Sequence, residues 1–171
     1  DRIGLLDDAY ALQKAGMIPV AQYLELAEHY RDETEYAVWN NLCSGLGGVI
    51  ARLTNQPYHA ELERFAKSLL GKIYHNVGWE TAPNEDELKP LLRSLIIGNM
   101  GYYGHRGVRY ASRRKFLNYY LQDKQSLDPN LRDAVCNIAA WYGTKTIYEA
   151  MLCLYLGAES QEEKSRYLHA L

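Results

Sequence analysis

The fold is decided by segments such as Leu62-Glu63-Arg64-Phe65-Ala66-Lys67-Ser68-Leu69-Leu70-Gly71-Lys72-Ile73, in which apolar residues recur every three or four positions. This spacing places them on one face of an α-helix. The same spacing occurs near the start of the chain, in Ile3, Leu6, Ala9 and Tyr10. No segment alternates between apolar and polar residues over the length of a half-buried strand. The sequence therefore predicts an all-α protein.

Glycine, proline and short polar segments divide the chain into about nine helices. The expected helices are Arg2–Ala15, Val20–Tyr30, Glu35–Leu53, Tyr58–Val77, Glu85–Met100, Val108–Asp123, Pro129–Tyr142, Thr146–Leu156 and Ser160–Ala170. Four glycines follow helices where a left-handed C-terminal cap is expected: Gly16, Gly78, Gly143 and Gly157. The short linkers favour antiparallel neighbours. We therefore expect residues 1–171 to form a single helical-repeat domain, a right-handed stack of antiparallel helical hairpins resembling a HEAT- or armadillo-like α-solenoid.

The composition is that of a globular domain, with 171 residues of which 47% are hydrophobic. Lys plus Arg number 19 and Asp plus Glu 21, so the net charge of −2 provides no overall attraction to nucleic acid or to an anionic membrane. No apolar run reaches the roughly 20 residues that a membrane span needs. Three cysteines do not indicate a disulfide framework. We expect a cytoplasmic location, and we expect neither a membrane nor a nucleic acid as partner.

Cysteine, histidine and glycine supply few signs of chemistry. The five histidines include no pair four residues apart, so no helix presents the two imidazoles of a zinc peptidase. Cys136 and Cys153 are expected to pack as small apolar side chains. The glycine-rich run Gly45, Gly47 and Gly48 lacks the Lys and Ser/Thr of a phosphate loop, and close helix packing or a kink explains it better. No catalytic residue or metal ligand is predicted in this chain.

The segment Gly101–Lys115 is rich in tyrosine and carries five of the 19 basic residues. These five are Arg106, Arg109, Arg113, Arg114 and Lys115. One interpretation is a rim of guanidinium and phenol groups that binds a peptide carboxylate or stacks on nucleobases. The simpler interpretation, which we favour on sequence alone, is a solvated basic helix face. In this simpler interpretation, four apolar or aromatic side chains point inward: Tyr110, Phe116, Leu117 and Tyr120.

Two isolated arginines, Arg52 and Arg93, lie within apolar stretches of predicted helices. Either could point inward toward a ligand. A local ion pair, or a side chain that extends its charged end to water, is the favoured interpretation for both.

Several segments, taken in order along the chain, follow the pattern of one known protein family. They are Asp1-Arg2-Ile3-Gly4-Leu5-Leu6-Asp7-Asp8-Ala9-Tyr10-Ala11-Leu12 with Ala15-Gly16; Glu33-Thr34-Glu35-Tyr36 with Val38-Trp39 and Leu42; Leu91-Leu92-Arg93-Ser94-Leu95 with Gly104-His105; Leu131-Arg132 with Val135; and Glu162-Glu163-Lys164 with Arg166, Leu168, Ala170 and Leu171. Over nearly the whole chain, the sequence resembles the first half of the C-terminal helical domain of gluzincin zinc aminopeptidases, the puromycin-sensitive and endoplasmic-reticulum aminopeptidase family.

The resemblance implies an enzyme that removes N-terminal residues from peptides at a zinc site. Such a site is built from His-Glu-x-x-His and a downstream Glu, beside a Gly-x-Met-Glu-Asn motif, and none of these motifs occurs in the 171 residues. The chain, which does not start with Met, is therefore expected to be a non-catalytic fragment of a larger C-terminal domain. The resemblance implies that this domain encloses the active site and shapes the peptide cavity, with zinc held by a catalytic domain of the same polypeptide.

The side chains expected to contact a peptide substrate are chosen from their chemistry. Tyr102, Tyr103, Arg106 and Arg109 combine aromatic surface with a charge partner for a carboxylate. The alternative function is a free-standing helical-repeat scaffold that binds peptide or RNA through the same segment.

Overall fold

A computed structural model describes residues 2–171 and, within them, contains helices and no strand. The α-helices are α1 (Arg2–Lys14), α2 (Val20–Glu28), α3 (Tyr36–Arg52), α4 (His59–Val77), α5 (Lys89–Tyr102), α6 (Arg106–Leu121), α7 (Arg132–Trp141), α8 (Lys145–Leu156) and α9 (Gln161–Ala170). Two single-turn 3-10 helices, Lys124–Ser126 and Pro129–Leu131, precede α7. The all-α fold class is thus confirmed. None of the described helices has the length and apolar character that crossing a membrane requires.

The chain divides into two compact units, one ending at Ile96 and the other running from Ile97 to Leu171. In the first unit α1 packs on α2 and α3, and α3 packs on α4. In the second, α7 contacts α6, α8 and α9, while α8 also contacts α9. Contact of a helix with its neighbour and its next-but-one neighbour is typical of stacked helical hairpins.

The first unit is fixed at the start of α3 by a buried carboxylate. Glu33 accepts hydrogen bonds from the backbone N–H groups of Thr34 and Glu35, at 2.7 and 2.9 Å, and from the Arg2 guanidinium at 2.6 Å. The indole Nε1 of the buried Trp39 donates to the Glu33 carbonyl at 2.9 Å. The side chain and backbone of one residue therefore join α1, α3 and the core.

Close packing explains two of the three glycines in α3. A Cβ on Gly45 would overlap the Tyr23 hydroxyl, and one on Gly48 would overlap that of Tyr10. The two tyrosine rings lie 5.7 Å apart between their centroids. Nothing lies within 4 Å of the Cβ position of Gly47, so that glycine has no packing requirement.

The fifth helix begins at Lys89, four residues later than predicted. Glu85, expected in its first turn, instead forms a two-pronged ion pair with Arg93, at 2.9 and 2.6 Å. Arg93 is 1% exposed, and its Nε donates to the Val77 carbonyl at the end of α4. The Arg93 hydrogen bonds hold the pKa of Glu85 below its ordinary value. This confirms the local ion pair favoured for Arg93.

Within the second unit, two buried tyrosines join α6 to α9. The hydroxyl groups of Tyr119 on α6 and Tyr167 on α9 are hydrogen-bonded at 2.5 Å. Burial and this bond raise the pKa of Tyr167. Arg166 forms ion pairs with Asp133 on α7 and with Glu162 one turn back on α9. The end of α9 is therefore held by polar contacts as well as apolar ones.

The glycine-cap predictions are partly correct. Gly16 and Gly78 have positive φ values of 74° and 59°. Gly157 has φ −88° and is right-handed, so its left-handed cap was wrong; its N–H donates to the Cys153 carbonyl at 3.0 Å, as in an ordinary helical turn. Gly143 does not have a positive φ either, so the left-handed cap predicted for it was also wrong. Its backbone lies so close to α7 that a Cβ would be 2.7 Å from the Ala139 carbonyl oxygen.

Candidate functional site

The predicted site residues surround the tight connection between α5 and α6. The chain turns at Gly104, two residues after the end of α5, where φ is 76°, and the His105 N–H returns to the Met100 carbonyl at 2.9 Å. His105 Nδ1 then accepts the Val108 N–H at 3.2 Å and caps α6. Because a left-handed glycine and an N-cap follow one another directly, the two helices are separated by only three residues, Tyr103, Gly104 and His105. The α6 helix consequently begins at Arg106, two residues earlier than predicted.

Tyr102 and Arg109 are brought together by a third residue, Tyr142. The Arg109 guanidinium carbon lies 3.3 Å from the centroid of the Tyr142 ring, a cation–π contact. The Tyr142 hydroxyl donates to the Tyr102 carbonyl at 3.1 Å. The Tyr102 ring meets Trp141 edge-on, with centroids 4.9 Å apart and an interplanar angle of 90°. Two of the four predicted residues therefore belong to one aromatic and cationic cluster.

Tyr103 and Arg106, the other two predicted residues, are not part of this aromatic and cationic cluster. Tyr103 is 0% exposed and its ring packs edge-on against Tyr102, with centroids 5.3 Å apart. Its position makes it a support for the Tyr102 ring. Arg106 is exposed at the start of α6.

A groove of about 390 Å³ opens beside this cluster within the second unit. It is lined by Gly98, Asn99, Gly101, Tyr102, Ala134, Asn137, Ile138, Trp141, Tyr142, His169 and Ala170. Small residues form part of its surface, since a Cβ on Gly101 would overlap the Ile138 side chain. Trp141 is 64% exposed, which is unusual for so large an apolar ring. A concave site with aromatic walls and a few polar groups suits a peptide side chain.

Sequence reasoning missed four of the polar and aromatic residues in this groove. They are Asn137, Trp141, Tyr142 and His169. A second recess of about 420 Å³ shares Asn137 and His169 and adds the ion-paired Arg166. The adjacent pair Trp141-Tyr142, placed just before a glycine turn, was the available signal in the sequence.

The structure also overturns one feature of the simpler interpretation of α6. Tyr110 was expected to point inward, but 73% of it is exposed. Phe116 is buried as expected, and Leu117 and Tyr120 are half-buried. The buried side of α6 runs through Val108, Ser112, Phe116 and Tyr119, and Tyr110 lies on the other side. The exposed basic face therefore includes an aromatic ring.

Arg52 and Cys136 have local structural roles. Arg52 is exposed and donates to the Gly48 carbonyl at 3.0 Å and to the Tyr10 hydroxyl at 3.1 Å, which agrees with the predicted extension to water and not with the alternative of an ion pair. Cys136 is buried as predicted, and burial raises the pKa of its thiol to about 12. Cys153 is exposed, so its prediction as a packed apolar residue was wrong. Within residues 2–171, no group of three His, Cys, Asp or Glu side chains is arranged to hold a metal ion.

Comparison with known proteins decides the family. A family model described as the ERAP1-like C-terminal domain matches residues 1–171. The chain belongs to the ERAP1-like C-terminal domain family. The resemblance inferred from sequence segments is thereby confirmed, and it extends over the groove and both compact units.

Several aminopeptidases contain a similar segment. Aminopeptidase 2 of Candida albicans is 26% identical over 166 residues, covering 96% of this chain and 18% of that protein. Puromycin-sensitive aminopeptidase of Caenorhabditis elegans is 27% identical, covering 100% of this chain and 18% of that protein. Aminopeptidase A of Gloydius brevicauda is 32% identical, with the same coverage of 100% and 18%. The chain thus spans about a fifth of the length of the curated relatives it matches.

Proposed function

We propose that this chain is a non-catalytic part of a zinc aminopeptidase, in which it acts as one domain that encloses the active site and shapes the peptide cavity. The observation that carries this proposal is the match of the whole chain to one family, in relatives that are named aminopeptidases and are about five times as long. In this proposal the zinc and its ligands belong to a catalytic domain of the same polypeptide. The cellular location would be cytoplasmic.

The side chains proposed to contact the peptide are Tyr102 and Arg109, with Arg106 at the edge and Tyr103 as a support. The cation–π contact with Tyr142 restrains the Arg109 guanidinium, and a restrained guanidinium is suited to a carboxylate. The groove walls of Tyr102 and Trp141 would accept side chains of varied sequence.

The test compares the chain with the longer protein encoded by its gene. An upstream reading frame carrying His-Glu-x-x-His and zinc-dependent release of amino acids from aminoacyl reporters by the longer protein are the expected results. The 171-residue chain alone should release none. Zinc-dependent release by the chain alone, after chelator and contaminant controls, would contradict the proposal, as would a longer protein without the motif. Cell fractionation of the longer protein tests the cytoplasmic location separately.

A further inference from the structure

The arginines of the described residues divide into two classes. Eight have an intramolecular partner: Arg2, Arg31, Arg52, Arg64, Arg93, Arg109, Arg132 and Arg166. The other three, Arg106, Arg113 and Arg114, are exposed and contact no hydrogen-bonding, ion-pairing or aromatic group within residues 2–171. All three lie on α6, so the unpaired guanidinium groups of this chain are concentrated on one helix.

These three arginines share one face of α6 with Tyr110. Residues 106, 110, 113 and 114 fall within about a third of the helix circumference, because each residue turns the helix by 100°. Arg106 and Arg113 are separated by about 10 Å along the axis at 1.5 Å per residue. We call Arg106, Tyr110, Arg113 and Arg114 the α6 arginine face. The α6 arginine face presents positive charge over two helical turns, and the exposed phenol of Tyr110 lies between Arg106 and Arg113 along the helix.

This arrangement is unfavourable for the helix by itself. The α6 helix contains no acidic residue, and its first turn carries Arg106, where the helix dipole disfavours positive charge. Arg109 and Arg113, four residues apart, add repulsion between like charges. Local features that oppose stability without an intramolecular compensation are characteristic of functional surfaces.

We propose that the α6 arginine face binds an acidic segment of a peptide ligand. A peptide in the polyproline II conformation has three residues per turn and rises about 3.1 Å per residue, so carboxylates three residues apart lie on one side, about 9 Å apart, close to the spacing of Arg106 and Arg113. Each guanidinium can form a paired hydrogen bond with a carboxylate, and Tyr110 supplies apolar contact between them. The inference rests on the proposed function, since it names the class of peptide that this domain favours.

Nucleic acid and membrane fit the α6 arginine face less well. Proteins that bind nucleic acid strongly neutralise about six to ten phosphates, and this face offers three unpaired cations. The unit that contains it has ten basic and seven acidic residues, while the unit ending at Ile96 has nine basic and 14 acidic. A membrane-bound helix inserts its apolar side into lipid, but Val108, Phe116 and Tyr119 of α6 are buried in the protein core.

Fluorescence anisotropy with the 171-residue chain tests the proposal. The probes are a labelled nine-residue peptide with glutamate at every third position and the same peptide with glutamine at those positions. We expect the glutamate peptide to bind at least about tenfold more tightly at low salt, with the preference decreasing as salt screens the charges. The triple variant Arg106→Gln/Arg113→Gln/Arg114→Gln should lose that preference. The matched control Arg31→Gln/Arg64→Gln/Lys145→Gln removes three exposed, paired cations and should retain it.

Three results would overturn the inference: no preference for glutamate over glutamine, a preference that persists in the triple α6 variant, or tighter binding through the same arginines to an oligothymidine or a phosphatidylserine vesicle. Unchanged circular dichroism and unfolding midpoint must accompany each variant. Failure of the proposed function would give a different result. The longer protein would lack the zinc motif, while the 171-residue chain would still bind the glutamate peptide more tightly than the glutamine peptide. An aminopeptidase whose chain shows no glutamate preference contradicts only the present inference.

Discussion

At the residue scale, Gly45 shows how one missing side chain sets a helix contact. Its Cβ position is occupied by the hydroxyl of Tyr23, which is 0% exposed and has no hydrogen-bond partner for that hydroxyl within residues 2–171. Burial raises the pKa of Tyr23, so the phenol remains neutral. We expect Gly45→Ala to reduce the free energy of unfolding by about 1–3 kcal/mol, because the ring cannot move out of a filled core.

Two further variants make the Gly45 prediction specific. Gly47→Ala changes the same helix two residues away, where space is open, and should stabilise by about 0.5–1 kcal/mol through lower backbone entropy of the unfolded chain. Tyr23→Phe removes the overlapping atom and should restore much of the stability lost in Gly45→Ala. Urea denaturation followed by circular dichroism measures all three. Equal effects of Gly45→Ala and Gly47→Ala would show that helix propensity, not packing, determines the result.

The ion pair between Glu85 and Arg93 makes the stability of the protein depend on pH. Its folded pKa lies below the ordinary glutamate value of 4.5 because Arg93 hydrogen-bonds its charged form. A lowered folded pKa contributes stability that is complete above pH 4.5 and is lost as the pH falls through the folded value. We expect Glu85→Gln to flatten the decline in the urea midpoint below pH 4.5, and Glu61→Gln, which removes an exposed pair with Arg64, to keep the wild-type decline. Parallel acid profiles for the wild type and Glu85→Gln would contradict this.

At the element scale, the hydrogen bond between Tyr119 and Tyr167 fastens α9 to α6. Each hydroxyl is the partner of the other in the core. Tyr119→Phe or Tyr167→Phe alone should therefore cost about 1–3 kcal/mol, since one buried hydroxyl loses its partner. The double variant should cost less than the sum, because no hydroxyl then remains unpaired. A double-mutant cycle by chemical denaturation checks the coupling, and strict additivity would show that the bond contributes nothing.

Helix existence could be predicted from the sequence, but the starts of α5, α6 and α7 could not. The α7 helix begins at Arg132, three residues after the predicted Pro129, because Pro129–Leu131 forms a separate 3-10 helix. The apolar period in α4 depends only on local spacing, and its predicted range differs from the structure by one residue. The predicted start of α5 at Glu85 was wrong because that carboxylate forms the ion pair with Arg93 instead of lying in the first helical turn. The start of α6 was placed too late because Gly104 and His105 resemble a loop until the left-handed cap and N-cap are seen together. Side-chain partners, rather than propensity, decide the starts of α5 and α6.

Only part of the candidate site could be predicted from the sequence. Tyr102 and Arg109 stand out by residue type within a short basic segment, and the structure brings them together. Trp141, Tyr142 and His169 join them only through tertiary packing, 30 or more positions further along the chain. The exposure of Tyr110, by contrast, follows from helix geometry, since it lies two residues from both Val108 and Ser112 on the buried side. A closer use of the helical period would have placed it outside.

At the scale of the whole molecule, the groove leads to a prediction for the longer aminopeptidase of the proposed function. If Trp141 contacts only the part of a peptide far from the scissile bond, Trp141→Ala should raise KM for peptides of eight or more residues and leave KM for a single-residue aminoacyl reporter unchanged. Truncating an exposed aromatic contact of this kind weakens binding by about 1–2 kcal/mol, which corresponds to a 5- to 30-fold rise in KM. Steady-state kinetics with both substrates measure the ratio.

The matched control for that measurement is Tyr148→Ala on α8, which removes another exposed aromatic ring, 53% accessible and outside the groove. It should leave both KM values unchanged. Because the reporter is too short to reach a distant groove, a loss of folding would lower kcat for both substrates, whereas loss of a peptide contact acts on the long substrate alone. An equal rise for both substrates, or a rise in the Tyr148→Ala control, would remove Trp141 from the peptide site and leave the groove as a purely structural feature of α5, α7 and α9.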